Sequence, residues 1–158
     1  MNPKLMSAGA LITLILGLLA WRVAWATPAS GVTTTILSGP VDFDDDLKVK
    51  SESDTNEIEI EMKGSSDVYI VHNVIVPGGH TGWHSHPGIS FVTVRAGTAT
   101  EYSGDDPNTP TVYAKGSGLV EEPGHVHLFA NEGDTVLELV AFQLIPFGAV
   151  RRIDAPAP

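Results

Sequence analysis

Cysteine is missing from the 158 residues, which rules out disulfides and thiolate metal sites. Positive charge is scarce: 9 Lys and Arg stand against 19 Asp and Glu, a formal net charge of −10. A chain so poor in Lys and Arg is not built to neutralise phosphates, so nucleic acid is excluded as a partner. An anionic membrane surface is disfavoured for the same reason, and the acidity reads as solubility. No apolar stripe of 3.6-residue period follows the N-terminal segment, so helices are not expected there. Also absent are a Gly-x-Ser-x-Gly elbow around Ser85 or Ser90 and a Gly-rich phosphate loop ending in Lys. Serine-nucleophile and nucleotide-hydrolysing chemistries lose their usual signatures.

The one long apolar run lies at the start. Lys4 precedes apolar residues from Leu5 to Trp21, and Ala24-Trp25-Ala26 follows as a small-x-small pattern. That order is the order of a secretory signal peptide, with cleavage expected after Ala26. The alternative is an uncleaved anchor formed by residues 5–21, since the run is near the lower limit for a membrane span and Arg22 follows it. Either way the remainder is expected to be exported, periplasmic or extracellular, with no membrane contact beyond such an anchor. Without Lys4 and Arg22 it would be more acidic still.

Residues 27–40 read as an extended leader able to add an edge strand. Ile58-Glu59-Ile60-Glu61-Met62 alternates with a period of two, the mark of a half-buried strand. Asp44-Asp45-Asp46 lacks the Gly and later Glu of a calcium loop and reads as a solvated turn. From residue 68 short strand signals recur, "VYIVHNVIV", "SFVTVRAGTATEYSG", "TVYA" and "TVLELVAFQLIP", punctuated by Gly and Pro. Many short strands with such turns indicate a single all-β domain, an antiparallel sandwich or barrel. The ending "FGAVRRIDAPAP", residues 147–158, reads as a loosely packed tail.

Six histidines carry the chemistry. His84 and His86 occur as His-x-His in "GWHSHPG", and His125 and His127 repeat the spacing in "GHVHLFAN". On a strand, residues i and i+2 share a face, so each pair can present two imidazoles together. Facing pairs would converge on one point, and imidazole suits iron, nickel, copper and zinc. His72, within "VYIVHNVIV", reads as a hydrogen-bonded structural residue and His80 as a rim residue. Trp83 has the opposite parity to His84 and reads as packing. Phe91, Val92, Val94, Tyr102, Phe129 and Phe142 are candidates for an apolar wall, with Tyr102 a hydrogen-bond donor or a buried structural tyrosine.

These two segments resemble the paired motifs of the cupin superfamily. In the first motif Gly78 lies six residues before His84, His84-Ser85-His86 forms the pair, and Gly97 closes the pattern at the right distance. Ser90 stands where the family pattern has glutamate. In the second motif Gly124 and Asn131 flank His127 at the family spacing, while Pro123 is one place out of register. The resemblance covers residues 66–146 and extends to a group of small exported bacterial proteins with one such domain and no assigned reaction. It implies an antiparallel double-stranded β-helix, a jelly-roll barrel over residues 41–146, and a homodimer.

By resemblance the metal ligands are His84, His86 and His127, holding one divalent transition metal: Fe, Mn, Ni, Cu or Zn. Ser90 is a poor substitute for a carboxylate. Three alternatives stand at this point: three imidazoles suffice, as in some thiol dioxygenases of the superfamily; His125 is a fourth ligand; or the site is empty. Glu121 and Glu122 read as rim charges. The implied activity is a dioxygenase-type oxidoreductase on a small organic substrate. The rivals are a non-catalytic small-molecule or metal-binding module and a metal-free structural cupin.

Overall fold

The computed structural model describes residues 26–44 and 46–158. The apolar run, the cleavage pattern up to Trp25, and Asp45 lie outside the described residues. No helix occurs among those described. Twelve strands follow in order: β1 (Ser30–Phe43), β2 (Leu47–Glu52), β3 (Glu57–Met62), β4 (Ser66–His80), β5 (His84–Ser85), β6 (Ile89–Ala96), β7 (Thr98–Ser103), β8 (Thr111–Ala114), β9 (Gly118–Glu121), β10 (His127–Ala130), β11 (Leu137–Pro146) and β12 (Ile153–Asp154).

Ten of them form one antiparallel sheet folded into two layers. One layer runs β1-β4-β11-β6-β9 and the other β12-β5-β10-β7-β8. They are stitched where the end of β4 reaches β10, with Ala130 opposite His80. The expected jelly-roll barrel is therefore the fold. β2 and β3 pair only with each other, as a separate hairpin. The expected edge strand in the leader is β1, which pairs with β4 along its length and runs on to Phe43.

Period-two patterning explains which side chains fill the interior. Along β6, Ser90, Val92 and Val94 are buried while Phe91 and Thr93 are exposed. Along β11, Leu137, Leu139, Ala141, Gln143 and Ile145 are buried in the same alternation. Val71 and Ile75 of β4, Phe129 of β10 and Ala99 of β7 complete one core between the layers. Burying side chains of this size contributes roughly 1.5–3 kcal/mol each.

The apolar-wall expectation needs correction at three places. Phe91 and Phe142 are register partners on the outer face, 47% and 42% exposed. Their neighbours Ser90 and Val92 hold the inward phase, so parity turns the phenyl rings out. Tyr102 is only partly buried and its hydroxyl donates to Glu132, away from the interior. Trp83 is buried as packing, in line with its parity. His72 is held by Glu138, with Nε2 to Oε2 at 3.0 Å.

The C-terminal segment is not loose. Ile153 and Asp154 pair with Ser85 and His84, and Ala155 N–H donates to Trp83 O at 2.9 Å. Thr27 N–H donates in turn to Ala155 O at 3.1 Å. The tail thus adds a strand beside the first His-x-His pair, a pairing its Pro and Gly content hid.

Candidate metal centre

Two cross-strand rows face each other across the barrel. On the β5/β10 side, His84 and His127 are register partners. On the β11/β6/β9 side, Gln143 opposes Ser90, and Ser90 opposes Glu121. Residues directly opposite on neighbouring strands project from the same face. Each row therefore enters the interior at one level, and His86 joins from the loop after β5.

Backbone carbonyls aim the imidazoles, two of them local and one from the C-terminal segment. His84 Nδ1–H donates to Gly82 O at 2.9 Å, His86 Nδ1–H to Arg151 O at 2.7 Å, and His127 Nδ1–H to His125 O at 3.0 Å. Protonation at Nδ1 leaves each Nε2 with its lone pair inward. Gly82 has φ +70°, and a Cβ there would lie 2.2 Å from Thr27 O, so only glycine fits the turn that anchors His84. Gly88 allows a second close approach: a Cβ would lie 2.1 Å from Leu144 O, so the loop carrying His86 presses directly on β11.

His84, His86 and His127 are all buried, and each offers a ring nitrogen within 4.8 Å of the others. A carbonyl on one nitrogen and a free lone pair on the other is how protein imidazoles are held for metals. The Nε2 of His127 is buried without a hydrogen bond. A buried polar atom left this way is costly unless something absent from the chain takes it. The donor set thus fits a divalent transition ion.

His125 does not join the cluster. It precedes β10 rather than lying on it, so strand parity does not apply, and its Nε2 is 2.9 Å from Ser103 Oγ. His80, at the end of β4, accepts from Gly82 N–H through Nδ1 at 3.2 Å. Ser90 is fully buried at the level of the site and accepts from Gln143 Nε2 at 3.1 Å. Arg151 Nη1 donates to Gln143 Oε1 at 3.0 Å, extending the polar row to the tail.

Glu121 requires the largest correction, since its expected place was the rim. It is 4% exposed, with Oε1 3.0 Å from His127 Nε2 and Oε2 3.5 Å from His86 Nε2. Glu122, next in sequence, is exposed as expected. Burial pushes the His84 pKa from 6.5 down to about 2, aided by the charges of His127 and Arg152. His86 is also lowered by burial, which outweighs the nearby Glu121. Burial acts against protonation of His127 too, but the Glu121 carboxylate overcomes it and raises the pKa. Burial opposes ionisation of Glu121; the imidazoles of His127 and His86 and the Ser90 hydroxyl reverse the sign and lower it. Of the three clustered imidazoles, His127 alone is shifted toward the protonated form.

A cavity of about 130 Å³ opens beside these groups. Val92, Phe129, Leu139 and Ala141 give it an apolar wall, and Arg151 and Arg152 bring positive charge. Arg152 also donates to Thr81 O at 2.8 Å and pairs with Asp154. Of the expected apolar lining, Val92 and Phe129 face this space. Gln143, Arg151 and Arg152 were not singled out from the sequence. Gln143 alone carried a signal, as a polar residue in the inward phase of a strand.

A cupin-domain family model matches residues 71–142, which span both histidine motifs. Over that segment the chain is a cupin. Among solved structures, it resembles the polyketide cyclase RemF from Streptomyces resistomycificus at TM-score 0.55 and 15% identity, covering 80% of this chain and 73% of that one. A cupin-2 domain protein of Rhodospirillum rubrum gives TM-score 0.53 and 15% identity, covering 83% of this chain and 68% of that one. At such identity the likeness concerns the fold alone. No curated protein matches the chain in sequence.

Proposed function

We propose that this cupin works outside the cytoplasm, holds one divalent transition metal through His84, His86 and His127, and acts as a dioxygenase-type oxidoreductase on a small organic anion. The observation that carries the metal is the three imidazoles, each fixed by a carbonyl at Nδ1, with ring nitrogens gathered within 4.8 Å of one another and that of His127 left without a hydrogen bond. When bound, such an ion supplies a Lewis-acidic centre with coordination positions that the histidines do not fill. The chain's own residues shape the rest. Arg151 and Arg152 attract negative charge, Val92 and Phe129 exclude water, and Gln143 ties Arg151 to Ser90.

Cavity size limits the ligand to a few heavy atoms, since a space of about 150 Å³ takes a molecule the size of benzene. Export is supported by the signal-peptide order of residues 1–26. A non-catalytic binding module is the second reading. One observation favours it: Arg151, Arg152 and Gln143 are engaged in internal hydrogen bonds, and none is an evident base for proton transfer. Ligand binding without uptake of dioxygen would be its signature.

Elemental analysis of the purified protein beside a His84→Ala/His127→Ala variant tests the metal reading. About one transition-metal ion per chain is expected in the wild type and none in the folded variant. Equal metal content in both would end the proposal.

A further inference from the structure

The carboxylate missing at position 90 has a neighbour able to replace it. Ser90 on β6 and Glu121 on β9 are register partners, so both side chains enter the barrel from the same face at the same level. A glutamate at position 90 and a glutamate at position 121 would reach a common point from adjacent strands. Resting on the metal reading above, we propose that Glu121 is the fourth protein ligand of the centre, transposed by one strand from the family position.

Three observations support the transposition. First, the distances to two of the three histidines, His127 and His86, are those of ligands sharing an ion. With metal–ligand bonds of about 2.1 Å, adjacent ligands lie about 3.0 Å apart in an octahedron and about 3.4 Å apart in a tetrahedron. Glu121 stands 3.0 Å from the His127 nitrogen and 3.5 Å from the His86 nitrogen, through different oxygens. Second, the orientation is that of neighbours rather than of a donor and its acceptor. His127 Nε2 lies close to Glu121 Oε1 yet makes no aligned hydrogen bond. Ligands of one ion sit in this way, with lone pairs aimed at a shared point.

Third, the carboxylate has no other counter-charge in contact. Among the described residues its ion-pair partners are His86 and His127 alone, and no Lys or Arg reaches it. A carboxylate this deeply buried is costly unless it is paired or coordinates a cation. Ser90, in place of a second glutamate, leaves the level with one negative charge and donates support to it. Two glutamates facing each other across β6 and β9 would repel, so the serine is the residue that makes room for Glu121.

The test uses Co²⁺ and Zn²⁺ on the metal-free full chain. Affinity is measured by competition with a chromogenic chelator and coordination by the visible spectrum of the Co²⁺ form. Glu121→Gln keeps the shape and removes the charge; it should lower affinity about 10–100-fold, the range reached even by loss of groups that only support a ligand. Its Co²⁺ spectrum should change as well. Ser90→Glu/Glu121→Ser returns the carboxylate to the family position and should recover affinity to within a few-fold of wild type. Circular dichroism and the urea midpoint of each metal-free variant report folding.

Wild-type affinity and spectrum in Glu121→Gln would overturn the inference and leave the three-histidine reading standing. So would a folded Ser90→Glu/Glu121→Ser protein that stays as weak as Glu121→Gln. If Glu121→Gln fails to fold, the exchanged variant decides alone. Failure of the wild type to bind either metal would remove both this inference and the metal reading on which it rests.

Discussion

His84 and His127 sit on strands of two and four residues, and their direction comes from turns at Gly82 and His125. Gln143, Ser90 and Glu121 sit on β11, β6 and β9, where regular cross-strand pairing sets their direction. The aim of His84 and His127 is thus a product of local backbone, His86 is held from a distance by Arg151 O, and the carboxylate wall is a product of topology. For the two strand histidines of the first wall, a few residues of chain encode the direction. The other wall needs three strands, drawn from residues 89–146, to be correctly paired.

If the histidine wall depends on local turns, a change at a turn should damage it most. Gly88→Ala puts a methyl group against Leu144 O and forces the His86 loop away from β11. A loss of about 2–3 kcal/mol is expected in urea unfolding of the metal-free protein, as for other overpacked sites. An unchanged midpoint would mean that the loop does not rest on β11.

Acid should act on the same wall with a smaller effect. The folded pKa of His84 lies below the unfolded value of 6.5, so the unfolded chain binds more protons as pH falls. Stability of the metal-free protein should drop by about 1.4 kcal/mol per pH unit below 6.5, or about 2 kcal/mol by pH 5, from His84 alone. His86 adds in the same direction, and the lowered Glu121 adds below its usual value. His127 opposes them: its raised pKa gives stability present below 6.5 and lost as pH rises. Denaturation curves at pH 5 and 6.5 should show a smaller difference in His84→Gln than in wild type.

The carboxylate wall should yield least to a single change, because its strands hold the register. Gln143→Leu keeps volume while removing the bonds to Ser90 and Arg151. About 1 kcal/mol should be lost, the worth of a typical buried hydrogen bond. A loss as large as that of Gly88→Ala would erase the contrast between the walls.

The same contrast explains what could be read from sequence. Strand alternation and Gly-Pro punctuation pointed to an antiparallel barrel, and both His-x-His motifs were visible as spacing. His125 misled because a period of two holds only within a strand, and β10 starts at His127. Phe91 and Phe142 were ambiguous because apolar residues occupy both phases of β6 and β11. Glu121 was unreadable as a site residue for a different reason. Nothing in "GLVEEPG" shows that its partner across the sheet is Ser90. Arg151 and Arg152 were hidden by a Pro-Ala ending that reads as loose chain yet pairs beside His84.

Anomalous diffraction from crystals of the metal-loaded protein would locate the ion. One peak is expected, about 2.0–2.2 Å from the Nε2 atoms of His84, His86 and His127. A peak at His125 or His80 instead, or no peak inside the barrel, would contradict the three-histidine centre.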